Sequence, residues 1–160
     1  MTTTMARRIL TSRWLALGFR LYLGGLFVYA SMYKIQYPGE FAESVAAYQL
    51  VPHFLLHVMA VFMPWVELGR GILLIAGVRA KAAALSIGAM LVMFTLALVY
   101  VLGADIPIGC GCFTAQEAEA TWLTVGRDLA WLTMVTHVFF YDRAFHLDNL
   151  YSWKLEDLQQ

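Results

Sequence analysis

The chain has few charged residues. Charged side chains make up 14% of its 160 residues, whereas hydrophobic side chains make up 61%. Soluble domains use apolar residues at about 45–50%, so this composition excludes an ordinary soluble domain. The 11 basic and 11 acidic residues give a net charge of zero, and the sequence contains no basic patch. We therefore expect a membrane protein that does not bind nucleic acid.

Four apolar stretches are long enough to cross a bilayer, which requires about 20 residues in a helix. They cover residues 14–33, 54–77, 82–104 and 121–141, and the third contains no charged residue at all. Together they account for most of the chain. The sequence therefore predicts an all-α, polytopic membrane protein, with a four-transmembrane-helix bundle as a single domain over residues 1–160.

The basic residues outside the spans predict the orientation of the bundle. Arg7, Arg8 and Arg13 precede the first span, and Arg79 and Lys81 lie in the short loop between the second and third spans. Loops rich in lysine and arginine remain on the cytoplasmic side. We expect a multi-pass protein of the inner (plasma) membrane with both termini in the cytoplasm.

The two loops on the opposite side of the bundle differ in charge. Residues 36–53 and 105–120 contain glutamates but no lysine or arginine. We therefore expect both loops to face the periplasm. The loop over 105–120 contains the only two cysteines of the chain, which would then lie in a compartment where disulfides form and persist.

The first of these loops contains the pattern of a short helix over about residues 38–50. Pro38 suits the first turn of a helix, and Phe41, Val45 and Tyr48 recur at helical spacing. We expect an interfacial helix after the first span. A helix that only fills a gap at the end of the bundle is an equally good interpretation.

The cysteine pair is the strongest chemical signal. Cys110 and Cys112 are separated only by Gly111 and followed by Phe113. A turn brings two such residues within disulfide distance, and glycine tolerates the positive φ that a tight turn requires. A bridge this short restrains little of the chain, whereas strained, exposed disulfides are the labile and catalytic ones. The pair therefore predicts thiol–disulfide exchange rather than a structural bridge.

Two other interpretations of the cysteines stay open. Free cysteine is often simply buried in a core, and thiolates also bind thiophilic metals such as Cu(I). The thioethers of four methionines could join such a metal site, although membrane packing is the simpler explanation for them: Met59, Met63, Met90 and Met93. Zinc is disfavoured because no further ligands lie nearby in the sequence. We assign no metal site.

Charged residues inside the spans are energetically costly and require an explanation. Arg127 and Asp128 lie near the predicted periplasmic end of the fourth span, and Lys34 follows the first span on the same side. We expect Asp128 to pair with Lys34 or with an arginine.

A second group of charges lies deeper in the bundle. Glu67 and Arg70 are three residues apart on one helical face, and Arg20 is predicted at a similar depth. We expect a buried Arg20–Glu67–Arg70 cluster with His137 at a comparable level. Such a cluster could be a structural ion pair or could take part in proton or quinone handling.

The chain resembles the MauE/DoxX group of redox-associated four-helix membrane proteins, and within it the methylamine-utilisation MauE type. The Cys-Gly-Cys-Phe motif followed by Arg127-Asp128 is the most specific part of the resemblance. Thr114 departs from the family pattern, in which glycine often follows that motif. The remaining matching positions are Ser31, Lys34, Pro38, Phe41, Tyr48, Pro64, Glu67 and Gly71. The resemblance implies a periplasm-facing accessory protein for disulfide formation or maturation of secreted redox enzymes, working beside a thioredoxin-like partner.

We predict a membrane-embedded thiol–disulfide redox accessory protein, which would act as a thiol–disulfide oxidoreductase if it catalyses the exchange itself. Cys110 and Cys112 would form the redox pair, and its electrons would pass to a membrane quinone or to a partner dithiol. The expected partners are a thioredoxin-like or secreted redox protein, membrane lipid and a larger membrane complex. Two alternatives are a non-catalytic subunit of a respiratory or electron-transfer complex and a thiophilic-metal handling protein. The supporting residues would be Gly111, Phe113, Arg127, Asp128, Lys34, Glu67, Arg70 and Arg20.

Overall fold

The computed structural model describes residues 12–104, 106 and 120–142, and these residues form five α-helices and no strand. The predicted all-α fold is confirmed over these residues. In chain order the helices are α1 (Arg13–Gln36), α2 (Pro38–Ala47), α3 (His53–Ala76), α4 (Ala80–Gly103) and α5 (Trp122–Tyr141).

The four long helices form a ring. α1 packs against α3 and α5, and α4 packs against the other sides of the same two helices. Side chains from all four meet in one core, where Leu23, Leu74, Ile87 and Val138 are almost completely buried. The short helix α2 packs mainly on α3, through Phe41 and Val45.

Three of the long helices are long and apolar enough to cross a membrane: Trp14–Gln36, Phe54–Ala76 and Ala80–Gly103. α5 is not among them, because its 20 residues include Arg127, Asp128 and several threonines. The predicted count of four spans is therefore not confirmed by length and composition. The boundaries also shift, since α1 continues to Gln36, beyond the predicted end at residue 33, and α2 ends at Ala47 rather than near residue 50.

α1 and α3 approach each other closely, where two glycines face each other. A Cβ atom added at Gly24 would lie 3.0 Å from the carbonyl oxygen of Gly71 and 2.5 Å from Cγ1 of Ile75. A Cβ atom added at Gly71 would lie 3.0 Å from the carbonyl oxygen of Gly24. Small residues at such crossings let two backbones touch, which is how membrane helices gain packing energy.

A tight reversal makes α3 and α4 antiparallel neighbours. Gly77 ends α3 in the left-handed region with φ 71°, a conformation that costs glycine little. The amide of Val78 then donates to the carbonyl oxygen of Leu73 at 3.1 Å. Arg79, with φ 46°, leads directly into α4.

Candidate functional site

The predicted redox pair lies outside the residues that the structure describes. Cys110 and Cys112, with Gly111 and Phe113, belong to the connection between the end of α4 and the start of α5. The structure does describe six other predicted site residues, and it pairs them differently from the sequence-based prediction.

A buried ion pair joins α1 to α3. The ammonium of Lys34 donates to both carboxylate oxygens of Glu67, at 3.0 and 2.9 Å. The two side chains are only 4% and 5% exposed. The Lys34 Nζ also lies 5.0 Å from the ring centre of Phe41 in α2 and 5.5 Å from that of Phe94 in α4. Aromatic faces attract a desolvated cation, so one lysine holds four helices together.

Of the two predicted partners of Asp128, Lys34 or an arginine, the structure shows an arginine. Lys34 is not its ion-pair partner, because α1 packs most closely on α3 and Lys34 pairs with Glu67 there. Asp128 instead has an arginine nearby, with 3.6 Å between its Oδ1 and Nε of Arg127. The Arg127 guanidinium lies 4.6 Å from the ring centre of Trp131. Asp128 itself is buried in the bundle.

The predicted Arg20–Glu67–Arg70 cluster is wrong with respect to Arg20. Arg20 forms a buried ion pair with Asp142, at 3.1 Å, just past the end of α5. Fourteen residues separate Arg20 from Lys34, which corresponds to about 21 Å along α1, and Glu67 lies at the Lys34 end. Counting residues from the predicted ends of two helices gave similar depths, but helix packing sets which residues face each other.

Arg70 remains electrostatically close to Glu67, as their spacing on one helical face predicts. Its guanidinium donates to Sδ of Met90 at 2.8 Å. His137 lies near Arg20 along the bundle, because its ring contacts Phe19, the neighbour of Arg20, with ring centres 5.4 Å apart.

A small cavity lies beside the Lys34–Glu67 pair. Its volume is ≈ 40 Å³, and its lining includes Lys34, Glu67, Asp128, Phe94 and Trp131. A buried water needs a cavity of about 10–15 Å³ and several polar partners, so the cavity has room for about three waters. The cavity can therefore hold water next to one basic and two acidic side chains, Lys34, Glu67 and Asp128, inside the bundle. The sequence identified each of these charged residues as unusual, but it did not predict the cavity that they line together.

The four methionines considered as copper ligands do line one groove, between α3 and α4. Arg70 lies in the same groove, with its guanidinium against Met90. A fixed positive charge beside a thioether disfavours a bound cation. Within residues 12–104, 106 and 120–142, no group of three or more histidine, cysteine, aspartate or glutamate residues could hold a metal ion. Packing is therefore the better explanation for these methionines.

Comparison with known proteins identifies relatives over most of the chain. The family model described as "Methylamine utilisation protein MauE" matches residues 12–141. The methylamine utilization protein MauE of Methylorubrum extorquens is 33% identical over 127 residues, which are 72% of this chain and 68% of that protein. The protein of the same name from Paracoccus denitrificans is 33% identical over 112 residues, 69% of this chain and 60% of its own length.

A third relative, the methylamine utilization protein MauE of Methylophilus methylotrophus, is 36% identical over 85 residues, 52% of this chain and 44% of that protein. The matches thus span between about two fifths and two thirds of these relatives' lengths. No solved structure matches the chain significantly. The match over residues 12–141 shows that the chain belongs to the MauE family.

Proposed function

We propose that this chain is a membrane accessory protein of methylamine utilisation that exchanges disulfides with an extracytoplasmic redox protein through Cys110 and Cys112. The observation that carries the proposal is the spacing of the chain's only two cysteines, one residue apart, in a member of the MauE family. The names of the relatives support the process, and the cysteine pair supports the chemistry.

The exchange is a balanced two-electron reaction. A thiolate of the partner attacks one sulfur of the Cys110–Cys112 disulfide and forms a mixed disulfide. The partner's second thiolate then breaks that bond, which leaves the partner oxidised and this chain as a dithiol. Because the disulfide ring is small, reduction of this chain is favoured over reduction of a structural disulfide.

Two buried ion pairs join the long helices into a bundle, and the proposal needs such a bundle to hold the cysteine segment at one end. Lys34–Glu67 joins α1 to α3, and Arg20–Asp142 joins α1 to the end of α5. α4 packs along α5, so the two helices that flank the cysteine segment belong to the same packed bundle.

The proposal takes all four long helices as membrane spans, although α5 is less apolar than the others. Its 20 residues measure about 30 Å, which is the thickness of the hydrocarbon core. Asp142, the residue after α5, pairs with Arg20 in the first third of α1, so α5 extends to that level of the bundle. Asp128 is buried and lines the cavity, and Arg127 lies between Asp128 and the ring of Trp131 with its side chain 35% exposed. Pairing of this kind is how charges are tolerated inside membranes.

In this arrangement both termini are cytoplasmic, the cysteine segment is periplasmic, and α2 lies at the periplasmic interface of the inner membrane. The basic residues before α1 and between α3 and α4 support this orientation.

The test is to trap the exchange intermediate in cells. Exchange is reversible, so the thiol that remains in Cys110→Ser or Cys112→Ser can attack an oxidised partner and form a mixed disulfide, but this chain then lacks the second thiol that would complete the exchange. We expect at least one of these variants to accumulate a disulfide-linked complex with a thioredoxin-like protein or a secreted cysteine-rich redox protein. The double serine variant is the control and should trap nothing.

Two other outcomes would replace the proposal. If both single variants trap nothing and methylamine-dependent growth is normal, the chain is a non-catalytic subunit and its cysteines are incidental. If the native protein carries a stoichiometric thiophilic metal that both variants lose, metal handling is the function.

A further inference from the structure

The seam between α3 and α4 contains a cavity of ≈ 390 Å³. This is within the range of about 300–1,000 Å³ that small-molecule sites occupy. Its walls come from three helices and from the connection between α2 and α3, and they include Tyr48, Met59, Met63, Phe94 and Tyr100. The cavity is almost entirely apolar, and the phenols of the two tyrosines are the polar groups among these walls.

The cavity continues along the seam as a groove. The groove, of ≈ 360 Å³, shares Met59, Met63 and Met93 with the cavity and extends to Met90. Ten residues of α4 separate Met90 from Tyr100, which corresponds to about 15 Å. The cavity and groove together form an elongated, mostly apolar site that runs from one end of the bundle towards its middle, where the Arg70 guanidinium lies against Met90.

The site is open on the outer surface of the bundle, along α4. Met93, Leu96 and Tyr100 are 47%, 65% and 55% exposed, on helices that are long and apolar enough to cross a membrane. A ligand would therefore enter from the bilayer. Val45 of α2 and three residues that follow this helix, Tyr48, Leu50 and Val51, line the site on one side.

The chemistry of the lining favours some membrane molecules over others as the ligand of this site. A phospholipid chain descends from a phosphate-bearing headgroup, and no lysine or arginine is among the described residues that line the cavity to bind that phosphate. A molecule with a compact, uncharged head and a long apolar tail fits better. Methionines adapt to irregular apolar ligands, and tyrosine hydroxyls can donate a hydrogen bond to a carbonyl.

We propose that the cavity binds the ring of an isoprenoid quinone and that the groove binds its tail. This inference rests on the proposed function, because the quinone would be the acceptor that reoxidises the cysteine pair. The two thiols lose two electrons and two protons and form the sulfur–sulfur bond, and the quinone becomes a quinol. Cys110 follows Gly103, the last residue of α4, by seven residues, a tether that reaches at most about 25 Å.

The test uses two variants of one helix. Ala97→Phe places a large side chain into the cavity, and Ala89→Phe places the same side chain into a groove of ≈ 320 Å³ on the α4–α5 side. Each purified protein is reduced, freed of reductant, reconstituted in nanodiscs and mixed with decylubiquinone, and quinol and free thiols are counted. We expect one quinol per protein from wild type and from Ala89→Phe, and loss of quinol formation in Ala97→Phe.

The outcomes separate this inference from the proposed function. If wild type forms no quinol, or if Ala97→Phe forms as much as Ala89→Phe, the quinone site is wrong. The proposed function survives that result if the single cysteine variants still trap a partner, and it fails separately if they trap nothing. For the inference to stand, Ala97→Phe must also retain exchange with a partner disulfide, since only its quinone site is filled.

A measurement on the wild-type protein guards against misfolding of the Ala97→Phe variant. A photoreactive azidoquinone should label peptides containing residues 45–51 or 93–100, and excess decylubiquinone should suppress the labelling. Tyr100→Phe should weaken decylubiquinone binding about fivefold, the factor that one neutral hydrogen bond carries. Labelling confined to the α4–α5 groove, or co-purified phospholipid that decylubiquinone does not displace, would overturn the inference.

Discussion

The Lys34–Glu67 ion pair should be the most sensitive polar contact of the bundle. Glu67→Gln preserves the shape of the side chain but removes the charge that balances Lys34. Removing one member of a buried pair costs about 3–5 kcal/mol in soluble proteins, because the remaining charge stays buried. The carboxylate of Asp128 lines the same cavity and can partly compensate, so we expect the lower end, about 3 kcal/mol.

Thermal unfolding of the purified protein measures this loss. For a chain of this size, about 3 kcal/mol lowers the midpoint by about 6–12 °C. Glu40→Gln is the matched control, since Glu40 accepts a hydrogen bond from Tyr33 at an exposed site. Exposed substitutions of this kind change stability by about 0.5 kcal/mol or less.

A double variant tests the physical cause. Replacing a buried ion pair by apolar residues of similar volume is often neutral or stabilising, so Lys34→Met with Glu67→Leu should regain most of the stability that Glu67→Gln loses. The reasoning is refuted if Glu67→Gln unfolds like wild type, or if the double variant is no more stable than the single one.

Three further predictions concern packing, a second ion pair and orientation. Gly24→Ala should cost about 1–3 kcal/mol through overpacking against α3, whereas Gly25→Ala, with no neighbour within 4 Å, should be neutral or slightly stabilising in thermal unfolding. Asp142→Asn should lower the unfolding midpoint, because it leaves the buried Arg20 without its ionised partner, and Asp142→Glu should recover part of the loss. A membrane-impermeant maleimide should label Cys110 and Cys112 in intact spheroplasts after reduction, and labelling only after membrane disruption would contradict the orientation.

Hydrophobic pattern was sufficient to predict the helices but not which side chains meet. The apolar runs located α1, α3, α4 and α5 to within a few residues, because a span of this length has few alternatives in a chain this apolar. The start of α2 followed from Pro38, which suits a first helical turn. The fourth span was harder, because Arg127 and Asp128 make α5 less apolar although Asp128 is buried in the bundle.

The pairing of buried charges depends on the rotation and offset of neighbouring helices. Lys34 and Arg20 were both recognised as unusual, yet each has a partner other than the expected one. The glycine contact between α1 and α3 contributes to this offset, and a single sequence does not show which of its glycines face each other. The methionine groove was likewise anticipated only as a set of residues, without the arginine that lies in it.

The redox behaviour of Cys110 and Cys112 tests the central claim most directly. The protein is equilibrated in nanodiscs with glutathione buffers of graded potential, and its thiols are trapped and counted by mass spectrometry. We predict reversible conversion between two thiols and one intramolecular disulfide, with a reduction potential above about −300 mV, the value below which structural disulfides typically lie. Two thiols at every potential, or a bond that these buffers do not reduce, would contradict the account.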